Sequence, residues 1–153
     1  MDNNEIYQYI LSKVQSDLSE YGYSRSGNSM LFYRYSADKR IACCIEMQKS
    51  MFNYSGSYSF TFNLLCVALY ELNGYSKDRL TISIIKKCFP NPYVTKRIGM
   101  VCRKQDYWWS ITDEILSEYG LAQYYDRFLH NDIINAAIYL ENRAKDKEKI
   151  YQK

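Results

Sequence analysis

The chain has 153 residues, with 20 Lys and Arg against 17 Asp and Glu, one His, five Cys and 17 Tyr. That length suits one domain with its own core, and an odd cysteine count without a C-x-x-C pair speaks against a disulfide framework or a zinc site. No apolar run reaches the roughly 18 residues of a membrane helix, and the start Asp2-Asn3-Asn4-Glu5 is the opposite of a signal peptide. The expectation is a soluble, cytoplasmic protein whose thiols stay reduced, most of them in the core.

Residues 4 to 21 read as an amphipathic helix. Ile6, Ile10, Val14 and Leu18 recur at helical spacing. Asn3 or Asn4 is positioned to cap its start, and Gly22 to end it in a left-handed turn. Residues 23 to 28 carry turn-forming Gly, Ser and Asn. A strand dense in aromatic residues is expected from Met30 to Ser36, then a hairpin loop over 36–39. The return strand runs from Arg40 to Gln48, with Ile41, Cys43, Ile45 and Met47 on one face and Ala42, Cys44, Glu46 and Gln48 on the other. A polar break from Asn53 to Ser57 precedes a third strand from about Tyr58 to Leu69.

Residues 78 to 89 carry two signals. Leu80, Ile84 and Cys88 have helical spacing, whereas Thr81 to Ile85 is β-branched and alternates like a strand. The periodicity across three turns favours a short helix, which Pro90 and Pro92 would end. Two more strands are expected at about Thr95 to Arg103 and Tyr107 to Ile111, joined by a turn over Lys104-Gln105-Asp106. Thr112 or Asp113 caps the next helix, Gly120 interrupts it, and 121 to 129 form its second piece. A last helix is expected to start at Asn131 or Asp132 and to end in a charged tail over 143–153. Together these elements predict a single α+β domain: a five-stranded, mainly antiparallel sheet with an N-terminal helix and C-terminal helices.

Six short segments carry a further signal: Gly22-Tyr23, Phe32-Tyr33-Arg34, Gln48-Lys49-Ser50, Phe60-Thr61-Phe62-Asn63-Leu64, Arg97-Ile98-Gly99 and Trp108-Trp109. Their order resembles the family catalogued as domain of unknown function 4304, over roughly residues 5 to 140. The chain departs from that pattern where Leu65-Cys66 stands in place of a glycine expected soon after the Asn-Leu pair. The resemblance implies a small bacterial α+β domain and brings no assigned activity.

A polar group on a buried strand costs free energy unless it finds a partner. The polar members of these segments are therefore expected to converge, and Arg34, Gln48, Asn63, Arg97 and Trp109 are the candidate binding residues. In this reading Gln48 and Asn63 bond across strands, Arg97 clamps a carboxylate and Trp109 offers a stacking surface; the alternative is that they satisfy backbone groups and that Arg97 pairs with Glu46. Catalytic signals are missing. His130 is the sole histidine and sits beside an expected cap, so no nucleophile–base arrangement is legible. No metal-ligand spacing, phosphate-cradling loop or paired carboxylates stand out, and neither a cofactor nor a metal is expected.

Between Ser76 and Lys104 eight basic residues face Asp78 alone, while the rest of the chain is net acidic. Such a field attracts an acidic partner or nucleic acid, or is simply a solvated connection. Nucleic acid is the weaker expectation, because the basic-Gly-aromatic signature of stacking platforms is missing. The first expectation is a non-enzymatic protein that holds a protein partner, in the manner of an immunity protein neutralising a toxin. A small-molecule or nucleic-acid binding domain is second and an unrecognised enzyme third.

Overall fold

The computed structural model describes residues 2–53 and 56–151. Tyr54 and Ser55, in the middle of the expected polar break, and the last two residues of the expected charged tail lie outside the described residues.

The first helix, α1, spans Asn3–Ser19, and its cap is Asp2, whose carboxylate accepts the Glu5 N–H at 2.8 Å. Ile6, Tyr7, Ile10, Leu11, Val14 and Leu18 form its buried stripe. Gly22, with φ of +83°, ends it in a Schellman turn: Tyr23 N–H bonds to Leu18 C=O and Gly22 N–H to Ser19 C=O.

The strands are β1 (Ser24–Arg25), β2 (Leu31–Tyr35), β3 (Ile41–Lys49), β4 (Ser57–Ala68), β5 (Val94–Arg97) and β6 (Trp109–Thr112). All pairings are antiparallel, in the order β1-β2-β3-β4-β5, and β6 also pairs with β4. The sheet thus has one strand more than the sequence suggests. That strand, β1, falls in the expected turn region, where Arg25 anchors it by bonding to Ser29 C=O and to Gln8 on α1.

The helix expected over 78–89 is α2 (Ile82–Lys87), begun by the Thr81 hydroxyl, which accepts the Ile84 N–H. Two C-terminal helices follow. α4 (Asp113–Phe128) is capped by Thr112 and kinked at Gly120, with φ of +74°, and α5 spans His130–Tyr151. Asn131 and Asp132 thus sit in the first turn of α5 rather than before it.

The hairpin expected after Thr95 is corrected. Residues 95 to 111 do not form a hairpin. After β5 the chain folds into a short helix, α3 (Ile98–Cys102), and only later returns as β6. Strand alternation would bury Met100 with Ile98 and Cys102. Instead Ile98, Val101 and Cys102 pack inward at helical spacing, and Met100 is exposed. β5 and β6 then lie end to end on the same edge of β4, opposite residues 63–66 and 57–60.

The excursion over 98–108 is packed tightly. A Cβ on Gly99 would stand 2.4 Å from the Gln105 carbonyl oxygen and 2.5 Å from the Tyr107 nitrogen. Thr61 sits on β4 opposite the gap, fully buried, and its hydroxyl donates to Tyr107 C=O at 2.8 Å. Arg103 binds the Asp132 carboxylate at 2.8 Å and lies over the Tyr107 ring.

The main core lies between one face of the sheet and α1, α4 and α5. A smaller core on the other face joins Leu31, Ala42, Cys44, Leu65 and Val67 to Leu69, Ile85 and Cys88 from the segment that contains α2. Among the described residues no helix is long and apolar enough to cross a membrane.

The close approach at Gly99 predicts that Gly99→Ala lowers the unfolding free energy by about 1–3 kcal/mol, the usual cost of overpacking. Denaturant titration followed by tryptophan fluorescence measures it. A variant as stable as the wild type would show that the excursion is not locked at this point.

Candidate functional site

Register decides which face each candidate occupies. Cys44, Leu65 and Thr95 stand in one cross-strand row, and Glu46, Asn63 and Arg97 in the next. Between these rows the outer face changes character. Toward the first it is apolar and roofed by the α2 segment. Toward the second it carries Glu46, Gln48, Asn63 and Arg97, then Ser59 and Ser110.

The polar groups of this face engage one another. Asn63 Nδ2 donates to Gln48 Oε1 at 2.9 Å. The Ser59 and Ser110 hydroxyls are 2.7 Å apart. Arg97 is paired with Asp106 at 3.3 Å, and its guanidinium lies 4.9 Å from the centre of the Trp108 ring. It does not bond to Glu46. Three of the five candidates, Gln48, Asn63 and Arg97, are therefore brought together on one face.

The other two are not. Arg34 stands opposite Cys43 in register, on the helix-packed face. It donates to Tyr21 C=O at 2.8 Å and lies over the Tyr23 ring, so it closes the end of α1, where a cation is favoured by the helix dipole. Trp109 stands opposite Phe60, is 1% exposed, and donates its indole N–H to Phe128 C=O at 2.9 Å. Its role is packing, in stacked contact with Phe60. The indole on the open side is Trp108.

Sequence reasoning also missed the turn after β3. Met51 and Phe52 are 89% and 82% exposed. The backbone around them is pinned: Ser50 N–H bonds to Ser59 C=O, and the Ser50 hydroxyl accepts the Phe52 N–H at 3.1 Å. Asn53 exchanges two bonds with Ser59 and reaches the Tyr7 hydroxyl. Together Gln48, Ser50, Met51, Phe52, Ser59 and Trp108 line a recess of about 490 Å³. The signal for it was two large apolar residues immediately before a polar break.

His130 has a structural partner as well. Its Nδ1 lies 2.7 Å from Asp17 Oδ2, which also accepts the Tyr125 hydroxyl at 2.6 Å. This contact ties α1 to the corner between α4 and α5.

Glu46 is the titratable group whose behaviour bears on the face. Burial raises its carboxyl above the ordinary value of 4.5, and Lys86 on α2 pulls it back down. A carboxyl that holds its proton longer in the folded state contributes a loss of stability as pH rises from the unfolded pKa through the folded one. Glu46→Gln removes that loss. The melting temperature of the variant should gain on the wild type as pH rises from about 4.5, then hold a constant lead. A difference that stays constant from about pH 4 to about pH 7 would refute the assignment.

No curated protein and no solved structure matches the chain. Residues 14–135, most of its length, match the family model described as Domain of unknown function (DUF4304). The chain therefore belongs to the DUF4304 family.

Proposed function

We propose that the protein is a non-enzymatic binding protein whose partner is another protein, and that the turn after β3 is its point of contact. The observation that carries this reading is the pair Met51 and Phe52: two large apolar side chains held out to solvent on a turn fixed by Ser50 and Asn53. Exposed apolar groups beside a polar face mark interaction surfaces, and aromatic anchors supply most of the energy of such contacts. A pinned turn loses little freedom on binding, which favours affinity. The neighbouring amide, hydroxyl, guanidinium and indole groups suit recognition, and none of them forms a nucleophile–base pair. In its most specific form the reading is an immunity-type protein that neutralises a bacterial toxin from a neighbouring gene.

A second reading has its own support. The recess beside Trp108 has a volume of about 490 Å³, within the roughly 300–1,000 Å³ of small-molecule sites, and Gln48 offers an amide in its lining. In that case the ligand would be a small molecule or a nucleotide.

The two separate by experiment. The wild type is co-expressed with the product of the adjacent gene, and binding and growth rescue are measured. Phe52→Ala should weaken the complex roughly thirtyfold, the effect of losing an anchor worth about 2 kcal/mol, with the melting temperature unchanged because the side chain is exposed. A complex indifferent to both Met51→Ser and Phe52→Ser would remove the turn from the contact. A small molecule that raises the melting temperature of the wild type but not of Gln48→Ala would favour the second reading instead.

A further inference from the structure

Cys43 and Cys66 take no part in the binding face. They stand directly opposite each other on β3 and β4, on the helix-packed side. Their pairing geometry follows from the backbone. Met47 N–H bonds to Met30 C=O, and Ile41 C=O accepts from Ser36 N–H, so the odd-numbered residues of β3 spend their backbone groups on β2. Even-numbered Ser50, by contrast, bonds to Ser59 on the β4 side. Cys43 and Cys66 therefore form a non-hydrogen-bonded pair, the kind in which Cα atoms approach to about 4.5 Å and side chains lie closest. That spacing falls inside the roughly 4.4–6.8 Å that a disulfide spans. The two sulfurs are 3.8 Å apart, and both approach the Leu140 carbonyl of α5.

A route from solvent exists. A cleft of about 90 Å³ between the β2–β3 hairpin and α5 is lined by Arg34, Ser36, Cys43, Ala144 and Lys145. It has room for a few molecules of water size, each taking about 30 Å³. A hydrogen peroxide molecule fits such a space, and a glutathione-sized oxidant does not.

The surroundings divide the two thiols by role. The bond to Cys66, and burial after it, hold the Cys43 thiol up. Cys66 is held below the ordinary thiol value by the bond from Cys43, against the effect of burial, with help from the Tyr93 hydroxyl and the charge of Arg143. Cys102, the least buried thiol, is pushed up to about 11 by burial and Asp132. Cys44 faces the second core, and so does Cys88.

We propose that Cys43 and Cys66 are an oxidation site for small hydroperoxides, a dithiol that closes into a cross-strand disulfide between β3 and β4. In the first step the Cys43 sulfur attacks one oxygen of hydrogen peroxide. The O–O bond breaks, a sulfenic acid forms on Cys43, and the thiol proton leaves with the other oxygen as water. In the second step the Cys66 sulfur attacks the Cys43 sulfur. The S–O bond breaks, and the hydroxide takes the Cys66 proton and leaves as a second water. Two thiols lose two electrons and two protons, and the peroxide is reduced to two waters. The first step is slow because the bond to Cys66 and burial disfavour the Cys43 thiolate, so the site responds to sustained rather than brief exposure.

The test uses the folded full-length protein with hydrogen peroxide, followed by thiol blocking, digestion without reductant and mass spectrometry. Oxidation of the exposed Met51 to its sulfoxide reports the dose. The expected product is an intramolecular Cys43–Cys66 cross-link that dithiothreitol reverses and that Cys44→Ala retains. It leaves Cys88 and Cys102 blocked as free thiols and raises the melting temperature. Cys66→Ala should instead leave a sulfenic acid on Cys43 that dimedone traps when the oxidised protein is unfolded in its presence. Absence of the cross-link at doses that fully oxidise Met51, or a cross-link through Cys102, would overturn the proposal. An equal yield with oxidised glutathione would overturn the route through the cleft.

Discussion

The structure depends on how β4 is paired along its second edge. A single partner strand would need two residues to pass Thr61 and Phe62, but the chain spends residues 98–108 between Arg97 and Trp109. That surplus has to leave the sheet and return to the same line. It leaves as α3, and it returns because Gly99 admits the backbone of Gln105 and Tyr107 where any side chain would collide. Thr61 supplies a donor to Tyr107 C=O where ladder pairing is interrupted, so a fully buried hydroxyl is satisfied. Arg103 fastens the excursion to α5. This break sets Arg97 opposite Asn63, turns Trp109 inward against Phe60 and leaves Trp108 beside the open face.

The division of the outer face follows from the same register. A strand face that is apolar at one end and polar at the other cannot be roofed along its whole length without stranding polar groups. The α2 segment covers the apolar end only. At the other end Gln48 bonds to Asn63, Ser59 to Ser110 and Arg97 to Asp106. These contacts order the face from within the chain itself. Of the basic residues between Ser76 and Lys104, Arg97 and Arg103 are engaged by Asp106 and Asp132.

What was legible in the sequence was whatever depends on local period and punctuation. The stripe of α1, the alternation of β3, the glycine that ends α1 and the cap at Thr112 are decided within a few residues, and they stand where expected. What was not legible depends on parity across strands. Arg34 and Gln48 both read as polar residues in strands, yet Arg34 pairs with Cys43 on the helix side while Gln48 pairs with Thr61 on the other. Trp108 and Trp109 are neighbours in an extended segment, so one must face each way. Only the pairing of Trp109 with Phe60 decides which. The α3 turn was hidden for a related reason: Ile98, Met100 and Cys102 satisfy strand alternation as well as Ile98, Val101 and Cys102 satisfy a helical stripe, and tertiary packing chooses between them.

The segments that carry the family resemblance separate into two kinds once they are placed. Gly22, Arg34, Thr61, Gly99 and Trp109 build the frame: they end α1, close its last turn, fill the gap in the ladder and admit the excursion. Gln48, Asn63 and Arg97 lie on the open face, but they bond to each other or to Asp106. The most exposed large apolar side chains among the described residues, Met51 and Phe52, belong to neither kind and lie outside those segments. The frame explains why a sequence of this pattern folds this way, and the turn after β3 lies outside that pattern. Met51 and Phe52 are exposed there, so those side chains can change without disturbing the sheet.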